Sequence, residues 1–283
     1  MSTSVNKSNK LKSEDLSRDS KRNSFKEESL NSLQQEYSQM IYHYLKEREE
    51  VIYGNDDDLN KQGEITDKFR DEMLEWMINT QLELRLSNEA LFLAFSIISR
   101  YLRRKQATQY EFLMLCFSSL NIASKYCKHH SPHLKDFLAA TSNLVSKSEA
   151  IKMELTILQI FHFDISFPTV FDFLQRFKKL MNMKEIVFNL AVYICELQAM
   201  NLSMTVYAPS LQAVSGLYLA EKAIDKTFIL TNLPLSDIAY DTIQIEQCAR
   251  DMLSNVLIKK ESAIILRKHR DVIGIVLKKD LLN

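Results

Sequence analysis

Residues 108–127 read TQYEFLMLCFSSLNIASKYC, and this segment sets the expected architecture. It is apolar on nearly every face, with the small residues Ser118, Ser119 and Ala123 placed among large side chains. A helix that is apolar all round is expected at the centre of a bundle, where small side chains let neighbouring helices approach. The segment therefore predicts the central helix of an all-α protein.

Capping residues predict further helices on both sides of this segment. Thr66 and Ser87 can each cap a helix, because a hydroxyl can accept a hydrogen bond from an N–H of the first turn. Ser146 and Glu149 have the spacing of a capping box. The helices predicted beside the central one cover about 67–82, about 88–103, a short segment with Leu134, Phe137 and Leu138, and a last segment from Ser146 to about 161.

Pro168 divides the chain, and the part that follows repeats the plan of the first. Its third predicted helix again carries small residues, among them Ser215 and Gly216, and has Pro209 in its first turn, where a missing N–H costs little. The pattern predicts a second helical block with the same order of elements. Its predicted helices cover about 169–181, 184–201, 208–225, 235–254 and 258–270.

The N-terminal region differs from both blocks. Residues 1–31 are polar and charged, which predicts a disordered tail. Residues 32–66 are expected to form a helix over about 33–52, followed by a linker that contains Gly54 and Gly63. This helix has one apolar stripe, formed by Tyr37, Ile41, Tyr44 and Leu45.

Composition limits the classes of function. Lys plus Arg and Asp plus Glu number 36 each, so no overall basic charge is available for nucleic acid, and none is expected as a partner. No run of about 18 apolar residues occurs, which predicts no membrane span. The chain has only four Gly and no glycine-rich phosphate loop or nucleophile motif, so catalysis is not predicted.

The cysteines and histidines predict neither a metal site nor a cofactor. The four cysteines are widely spaced and lie mostly in apolar helical runs, which is typical of buried, reduced thiols. Cys127, His129, His130 and His133 stand close together in the sequence. Zinc needs four well-placed ligands, usually in paired spacing on a turn, and a polar loop between helices explains these residues better.

The ordered set of motifs resembles the cyclin family, most closely the A/B-type cyclins that regulate cyclin-dependent kinases. The resemblance covers about residues 33–270, and the set is specific although each motif alone is weak. The motifs that carry it are Phe69-Arg70 with Trp76, Asn88-Glu89-Ala90-Leu91, Ser99-Arg100-Tyr101-Leu102, Ala123-Ser124-Lys125-Tyr126, Met153-Glu154, Phe163-Asp164-Ile165, Pro168-Thr169 with Phe173-Leu174, Glu196-Leu197 and Tyr207-Ala208-Pro209-Ser210-Leu211.

The resemblance implies two tandem five-helix cyclin folds with a preceding N-terminal helix. The N-terminal cyclin box would cover 67–167 and the C-terminal cyclin fold 168–283. It implies a regulatory subunit, not an enzyme, that binds and activates a cyclin-dependent serine/threonine kinase in cell-cycle control, in the nucleus and the cytoplasm. The cyclin would push the mobile helix of the kinase inward and complete the kinase's own Lys–Glu pair.

The resemblance also implies which residues bind the kinase. Lys125 would donate to backbone carbonyls of the kinase, and Glu154 would be its partner. The other implied contacts are apolar, and for each of them packing inside the chain is the competing interpretation. The implied kinase-binding residues are Tyr37, Ile41, Lys125, Tyr126, Glu154, Phe163 and Ile165.

A second implied surface captures basic-hydrophobic motifs of kinase substrates or inhibitors. It consists of Phe69, Met73, Trp76 and Leu113. Glu72 stands where an apolar residue is usual, and Leu113 stands where a Gln is usual. We therefore expect docking there to be weak or of changed specificity.

Two other functions stay open at this point. One is a transcription-initiation scaffold that uses the same double fold to hold promoter DNA, although the basic helices and the N-terminal zinc ribbon that it needs are missing. The other is a cyclin-like protein that binds a kinase without activating it. Glu72 and the pair Cys127-Lys128, which replaces the usual acidic pair, keep this second alternative open.

Overall fold

The structure is a computed structural model whose regular elements, within the part of the chain described, are all helical. The chain forms two compact units, residues 1–47 and residues 48–283. The structure describes residues 37, 39–51, 63–127, 132–141, 144–199, 201–230, 240–259 and 263–276. The predicted tail, most of the predicted linker, and Lys128, His129 and His130 lie outside them.

Within the described residues, twelve α-helices are labelled in chain order, beginning with helical residues 39–51 as α1. A short 3₁₀ helix, Leu202–Val206, lies between α8 and α9. The α-helices after α1 are α2 (Asp67–Glu83), α3 (Asn88–Arg104), α4 (Gln109–Cys127), α5 (Leu134–Ala140), α6 (Lys147–Ile160), α7 (Val170–Leu180), α8 (Glu185–Ala199), α9 (Pro209–Ile224), α10 (Thr242–Lys259), α11 (Ala263–Lys268) and α12 (Arg270–Val276).

The predicted caps of the first half are confirmed. The hydroxyl of Thr66 accepts a hydrogen bond from the N–H of Phe69 at 3.3 Å, and Ser87 caps α3 in the same way. Ser146 and Glu149 form the reciprocal capping box at the start of α6. Each hydroxyl satisfies an N–H that the helix itself leaves without a partner, so these short polar signals set where the helices begin.

Helix α4 is the central helix of the first half, as its sequence predicts. It packs against α2, α3, α5 and α6, and residues 114–124 are all buried. The small side chains serve this packing, since the Ser118 hydroxyl lies 3.5 Å from the backbone oxygen of Ala150 on α6. The second half repeats the arrangement around α9, which packs against α7, α8 and α10.

Two predicted helices of the second half were misplaced. The fourth was predicted over 235–254, but α10 begins at Thr242, and residues 235–239 lie outside the described part of the chain. Asp241 explains the start, because its carboxylate accepts a hydrogen bond at 2.8 Å from the N–H of Gln244, whose side chain accepts one in return from the N–H of Asp241. Residue 241 is therefore the cap and not an interior position.

The fifth helix, predicted over 258–270, is two short helices that meet at His269. The ring of His269 turns inward and lies 3.3 Å from the carboxylate of Glu196 on α8, and the Lys268 ammonium lies 2.5 Å from the same oxygen. Burial alone would raise the pKa of Glu196, but Lys268 and His269 hold that pKa below its ordinary value. The inward turn supplies partners for a fully buried carboxylate, and that contact interrupts the helix.

The two halves are packed together within the larger unit. Helix α3 packs against α7 and α8, and α11 returns to pack against α2. Arg103 donates a hydrogen bond of 2.6 Å to the backbone oxygen of Thr205 in the 3₁₀ helix. Of the described helices, none combines the length and the apolar character that a bilayer crossing needs.

We predict that Gly216→Ala destabilises the protein by about 1–3 kcal/mol, because inserted volume in a packed core must displace neighbours. A Cβ at Gly216 would lie 2.5 Å from Cys195 Sγ on α8 and 3.3 Å from a methyl carbon of Met252 on α10. Urea unfolding measures the change. Gly274→Ala is the matched control, since its Cβ would meet no atom within 4 Å and should stabilise α12 by about 0.5–1 kcal/mol. Equal effects would refute the close packing of α8, α9 and α10.

Candidate partner-binding site

Lys125 and Glu154 form an ion pair between the last turn of α4 and the middle of α6. The ammonium lies 2.7 Å from one carboxylate oxygen and 2.8 Å from the other. Asn121, one turn earlier on α4, donates to the same carboxylate at 3.3 Å. The side chain of Lys125 is 47% exposed and that of Glu154 is 23% exposed, so the pair is assembled at the surface. Lys125 also lies at the end of α4, where the helix dipole favours a cation.

Apolar side chains at the surface accompany this pair in the chain. Tyr126, next to Lys125, is 55% exposed, and Phe163, just after α6, is 65% exposed. Ile165 differs, because it is only 9% exposed and belongs to the core. Ile165 therefore packs inside the chain, which was the competing interpretation of this residue, and its contact with a partner stays a prediction.

The sequence interpretation missed two surface residues of α6. Ile151 and Leu155 are 51% and 48% exposed, and they lie one turn apart on either side of Glu154 in the sequence. Helix α6 buries Ala150, Met153 and Ile157 instead. The sequence shows only that this helix has more apolar residues than one buried stripe needs, and packing decides which of them face solvent. Exposed apolar residues that form a patch are typical of a surface that binds another protein.

The backbone after α6 adopts an unusual conformation at two successive residues. His162 and Phe163 have φ angles of 50° and 62°, in the left-handed region that glycine normally occupies. Their N–H groups donate to the backbone oxygens of Gln159 and Leu158, which is the Schellman pattern of helix ends. A bulky residue costs about 1–2 kcal/mol there. Here this conformation directs Phe163 towards solvent.

Asp164 holds this turn with both oxygens of its carboxylate. Oδ1 accepts hydrogen bonds from the hydroxyl and the N–H of Ser166, at 2.6 and 3.2 Å. Oδ2 accepts a hydrogen bond of 2.5 Å from Arg48, which also donates to the Ser166 hydroxyl at 3.1 Å. The Ser166 hydroxyl first, and Arg48 next, lower the pKa of Asp164 to about 2.

We predict a pH signature for this carboxylate. Because its pKa is lower in the folded chain than the ordinary value of 3.8, the stability it contributes is fully present above about pH 4. That contribution is lost as the pH falls towards 2, where the carboxyl becomes protonated. The Tm of the parent should therefore exceed that of Asp164→Asn above pH 4, and the two should converge near pH 2. A Tm difference independent of pH would contradict the assignment.

The two N-terminal residues of the predicted site belong to the other compact unit, residues 1–47. Tyr37 is 67% exposed and Ile41 is 42% exposed. Their exposure suits a contact with a partner, and their part in kinase binding stays a prediction.

The predicted substrate patch lies on α2 and α4. Phe69, Met73 and Trp76 follow one another at the spacing of one helix face, and these three side chains and that of Leu113 are all half-buried. The indole N–H of Trp76 donates to the backbone oxygen of Ala140 at 3.0 Å, which ties α2 to the end of α5. Trp76 thus has a structural role whether or not the patch binds a peptide.

A negative charge beside this patch is exposed to solvent. Glu72 is exposed, and its carboxylate lies 3.9 Å from the Lys68 ammonium. The distance exceeds that of a hydrogen bond, so the negative charge is only weakly compensated. A basic-hydrophobic peptide would meet a charge at this point instead of an apolar side chain.

The described residues contain no group of three or more His, Cys, Asp or Glu that could hold a metal ion. Cys116, Cys195 and Cys248 are buried free thiols, as predicted. Cys127 is half-buried, and burial together with the charges of Glu89 and Asp172 raises its pKa to about 11. Its thiol is therefore protonated at neutral pH and a poor metal ligand.

Two protein families match the chain in succession. The cyclin N-terminal domain matches residues 40–166, and the cyclin C-terminal domain matches residues 168–271. Together the matched ranges include α2 to α11 and both members of the Lys125–Glu154 pair.

Curated relatives include mitotic cyclins of several organisms. The chain is 28% identical to the G2/mitotic-specific cyclin-B of Dictyostelium discoideum over 77% of its own length and 50% of that protein. It is 28% identical to a G2/mitotic-specific cyclin of Glycine max, over 82% of this chain and 90% of that protein. It is 27% identical to the G2/mitotic-specific cyclin-A of Patella vulgata over 78% of its own length. The chain spans about half the length of the Dictyostelium and Patella proteins.

Solved structures show the same fold at lower identity. A viral cyclin from herpesvirus saimiri superposes with a TM-score of 0.67 at 19% identity, over 76% of this chain and 96% of that one. A chain of the yeast RNA polymerase II CTD kinase complex superposes with a TM-score of 0.57 at 16% identity, over 72% of this chain and 69% of that one. These likenesses confirm the tandem helical fold.

Proposed function

This chain belongs to the cyclin family, and on that premise we propose that it binds and activates a cyclin-dependent serine/threonine kinase in cell-cycle control. The relatives named as mitotic cyclins support the cell-cycle role. The observation that carries the proposal is the Lys125–Glu154 pair at the end of α4, with exposed apolar side chains beside both residues.

The geometry of the pair suits recognition of a backbone. An ammonium has three N–H donors, and two of those of Lys125 point to the oxygens of Glu154. The third N–H can donate to a backbone carbonyl of the kinase, while the carboxylate keeps the ammonium in place. Docking would bury the pair, and removing one member from a buried pair costs about 2–5 kcal/mol.

Activation would follow from binding energy and not from a catalytic group. A partner shifts a conformational equilibrium only by the difference in its affinity for the two states. A rigid surface that fits the kinase's mobile helix in its inward position would favour the active state. Tyr126, Ile151, Leu155 and Phe163 would supply apolar contact there. Its action in the nucleus and the cytoplasm stays a prediction.

The first experiment is a pull-down with the tagged chain as bait, from an extract of the cells in which this protein occurs. A kinase assay with a histone substrate is then run on the bound fraction. An active kinase in that fraction would support the proposal and name the partner. A bound but inactive kinase would favour a binding protein that does not activate. If no kinase is recovered, the proposal fails, and promoter-DNA binding becomes the next measurement.

We predict that Lys125→Ala combined with Glu154→Ala lowers kinase affinity by at least about tenfold, because a hydrogen bond from a charged donor contributes about 1.5–3 kcal/mol and about 1.4 kcal/mol is tenfold. Circular dichroism should show unchanged helix content. Lys178→Ala with Glu185→Ala is the matched control, since that surface pair also has a 2.7 Å contact but joins α7 to α8. Equal loss in both variants, or none in the first, would place the interface elsewhere.

We also propose that substrates or inhibitors dock weakly on the patch of Phe69, Met73, Trp76 and Leu113. Replacing Glu72 by Leu should strengthen the binding of a basic-hydrophobic peptide by about tenfold, because an apolar side chain then extends the patch. Trp76 is the only tryptophan of the chain, so its fluorescence reports binding directly. Glu72→Gln, which removes the charge without adding apolar surface, separates the two effects. Unchanged fluorescence in every variant would exclude the patch.

A further inference from the structure

We propose that Arg48 is a positioning residue for the kinase interface: its guanidinium holds the turn of residues 161–167 that presents Phe163. The inference rests on the proposed function, because Phe163 is proposed as one of the apolar contacts with the kinase. Arg48 lies outside the motifs that carry the resemblance to cyclins. Its contribution arises from a contact between residues that are 116 positions apart in the chain.

Arg48 donates two hydrogen bonds to the turn. Its Nη2 donates to Oδ2 of Asp164 at 2.5 Å and to the hydroxyl of Ser166 at 3.1 Å. The other oxygen of Asp164 is already committed to the N–H and hydroxyl of Ser166. Asp164 therefore orders the turn from within and connects it to Arg48, and the side chains of Arg48 and Asp164 are 26% and 49% exposed. A partly exposed charged contact can organise a surface turn without belonging to the core.

The turn needs such support because its own backbone resists the conformation. His162 and Phe163 both have left-handed φ angles, and Phe163 is 65% exposed, so its side chain gains little packing in return. On the inner side the turn is held by Phe167. The centroid of its ring lies 3.7 Å from the guanidinium carbon of Arg100 and 5.1 Å from the ring centroid of Phe161. Arg48 and Asp164 supply the corresponding restraint on the outer side.

The neighbour of Arg48 keeps it facing the turn. Glu49 is 2% exposed, and its carboxylate accepts hydrogen bonds from the N–H and the hydroxyl of Ser210, at 2.7 and 2.6 Å. Ser210 lies in the first turn of α9, where Ala208 provides no side-chain cap. Successive residues of a helix point about 100° apart. With Glu49 fixed on α9, the rotation of this helical segment about its axis is set, and Arg48 points to the turn.

A turn held in this way is ready for binding before the kinase arrives. If the competent conformation were populated only in part, the apparent Kd would rise by the inverse of that fraction. Loss of the Arg48 contact should therefore weaken binding through the turn, without any direct contact between Arg48 and the kinase being required. Replacing Arg48 should not weaken kinase binding further in a chain that already carries Asp164→Asn.

The test compares the parent chain with Arg48→Met, Asp164→Asn and the double variant. Hydrogen exchange of the amides of residues 161–167 is measured in the free proteins, and kinase affinity is measured separately. We expect faster exchange in this turn, an apparent Kd raised about tenfold in each single variant, and no further rise in the double variant. Arg250→Met, which removes the exposed partner of Glu246 on α10, is the control and should change neither quantity.

Three results would overturn the inference. They are unchanged exchange in the turn, unchanged affinity despite faster exchange, and additive losses in the double variant, which would mean that Arg48 contacts the kinase itself. Arg48→Lys keeps the charge and one hydrogen bond, so it should restore part of the affinity even if the Met variant folds poorly. If the parent binds no kinase, the proposed function fails, and because the inference rests on that function, the kinase-positioning role of Arg48 fails with it. Exchange in the turn would then test only whether Arg48 orders residues 161–167 in the free chain.

Discussion

Helix α4 has no polar face along most of its length, and this constraint organises the first half of the protein. Residues 114–124 are buried without interruption, so helices must cover it on every side. Small side chains make this possible because they let the covering helices approach. The first and last turns emerge, and the last carries Lys125 and Tyr126 to the surface. The position of the candidate site is thus a consequence of how the core is covered.

Two carboxylates beside the proposed interface already have partners within the chain. Glu154 is occupied by Lys125, and Asp164 is occupied by Arg48 and Ser166. At these two positions a partner would meet ion pairs that are already formed, beside the exposed apolar side chains. Such a surface fits the binding of backbone and apolar groups, with the ion pairs acting as rigid supports. This division of roles is consistent with a regulatory subunit that selects one conformation of its partner.

Buried polar groups link the two halves into one unit. Glu196 on α8 binds Lys268 and His269, and α11 thereby comes to pack against α2. Glu49 places a carboxylate at the start of α9, where the helix dipole and free N–H groups favour a negative charge. These contacts join parts of the chain that are far apart in sequence. They hold residues 48–51 and the C-terminal helices against the two central blocks of the larger unit.

The sequence by itself determined the helices, most of their starts, and the two central segments, because caps and apolar periodicity act between residues a few positions apart. Thr66, Ser87 and Ser146 are examples. The Lys125–Glu154 pair, whose members are 29 positions apart, was predicted only from the family resemblance. Tertiary structure alone decided that Ile165 is buried while Ile151 and Leu155 are exposed, since an apolar residue carries no signal of which surface will cover it. It also decided the start of α10, the break at His269 and the reach of Arg48 to Asp164. Each of these depends on a partner far away along the chain, and such partners meet only when the helices have packed.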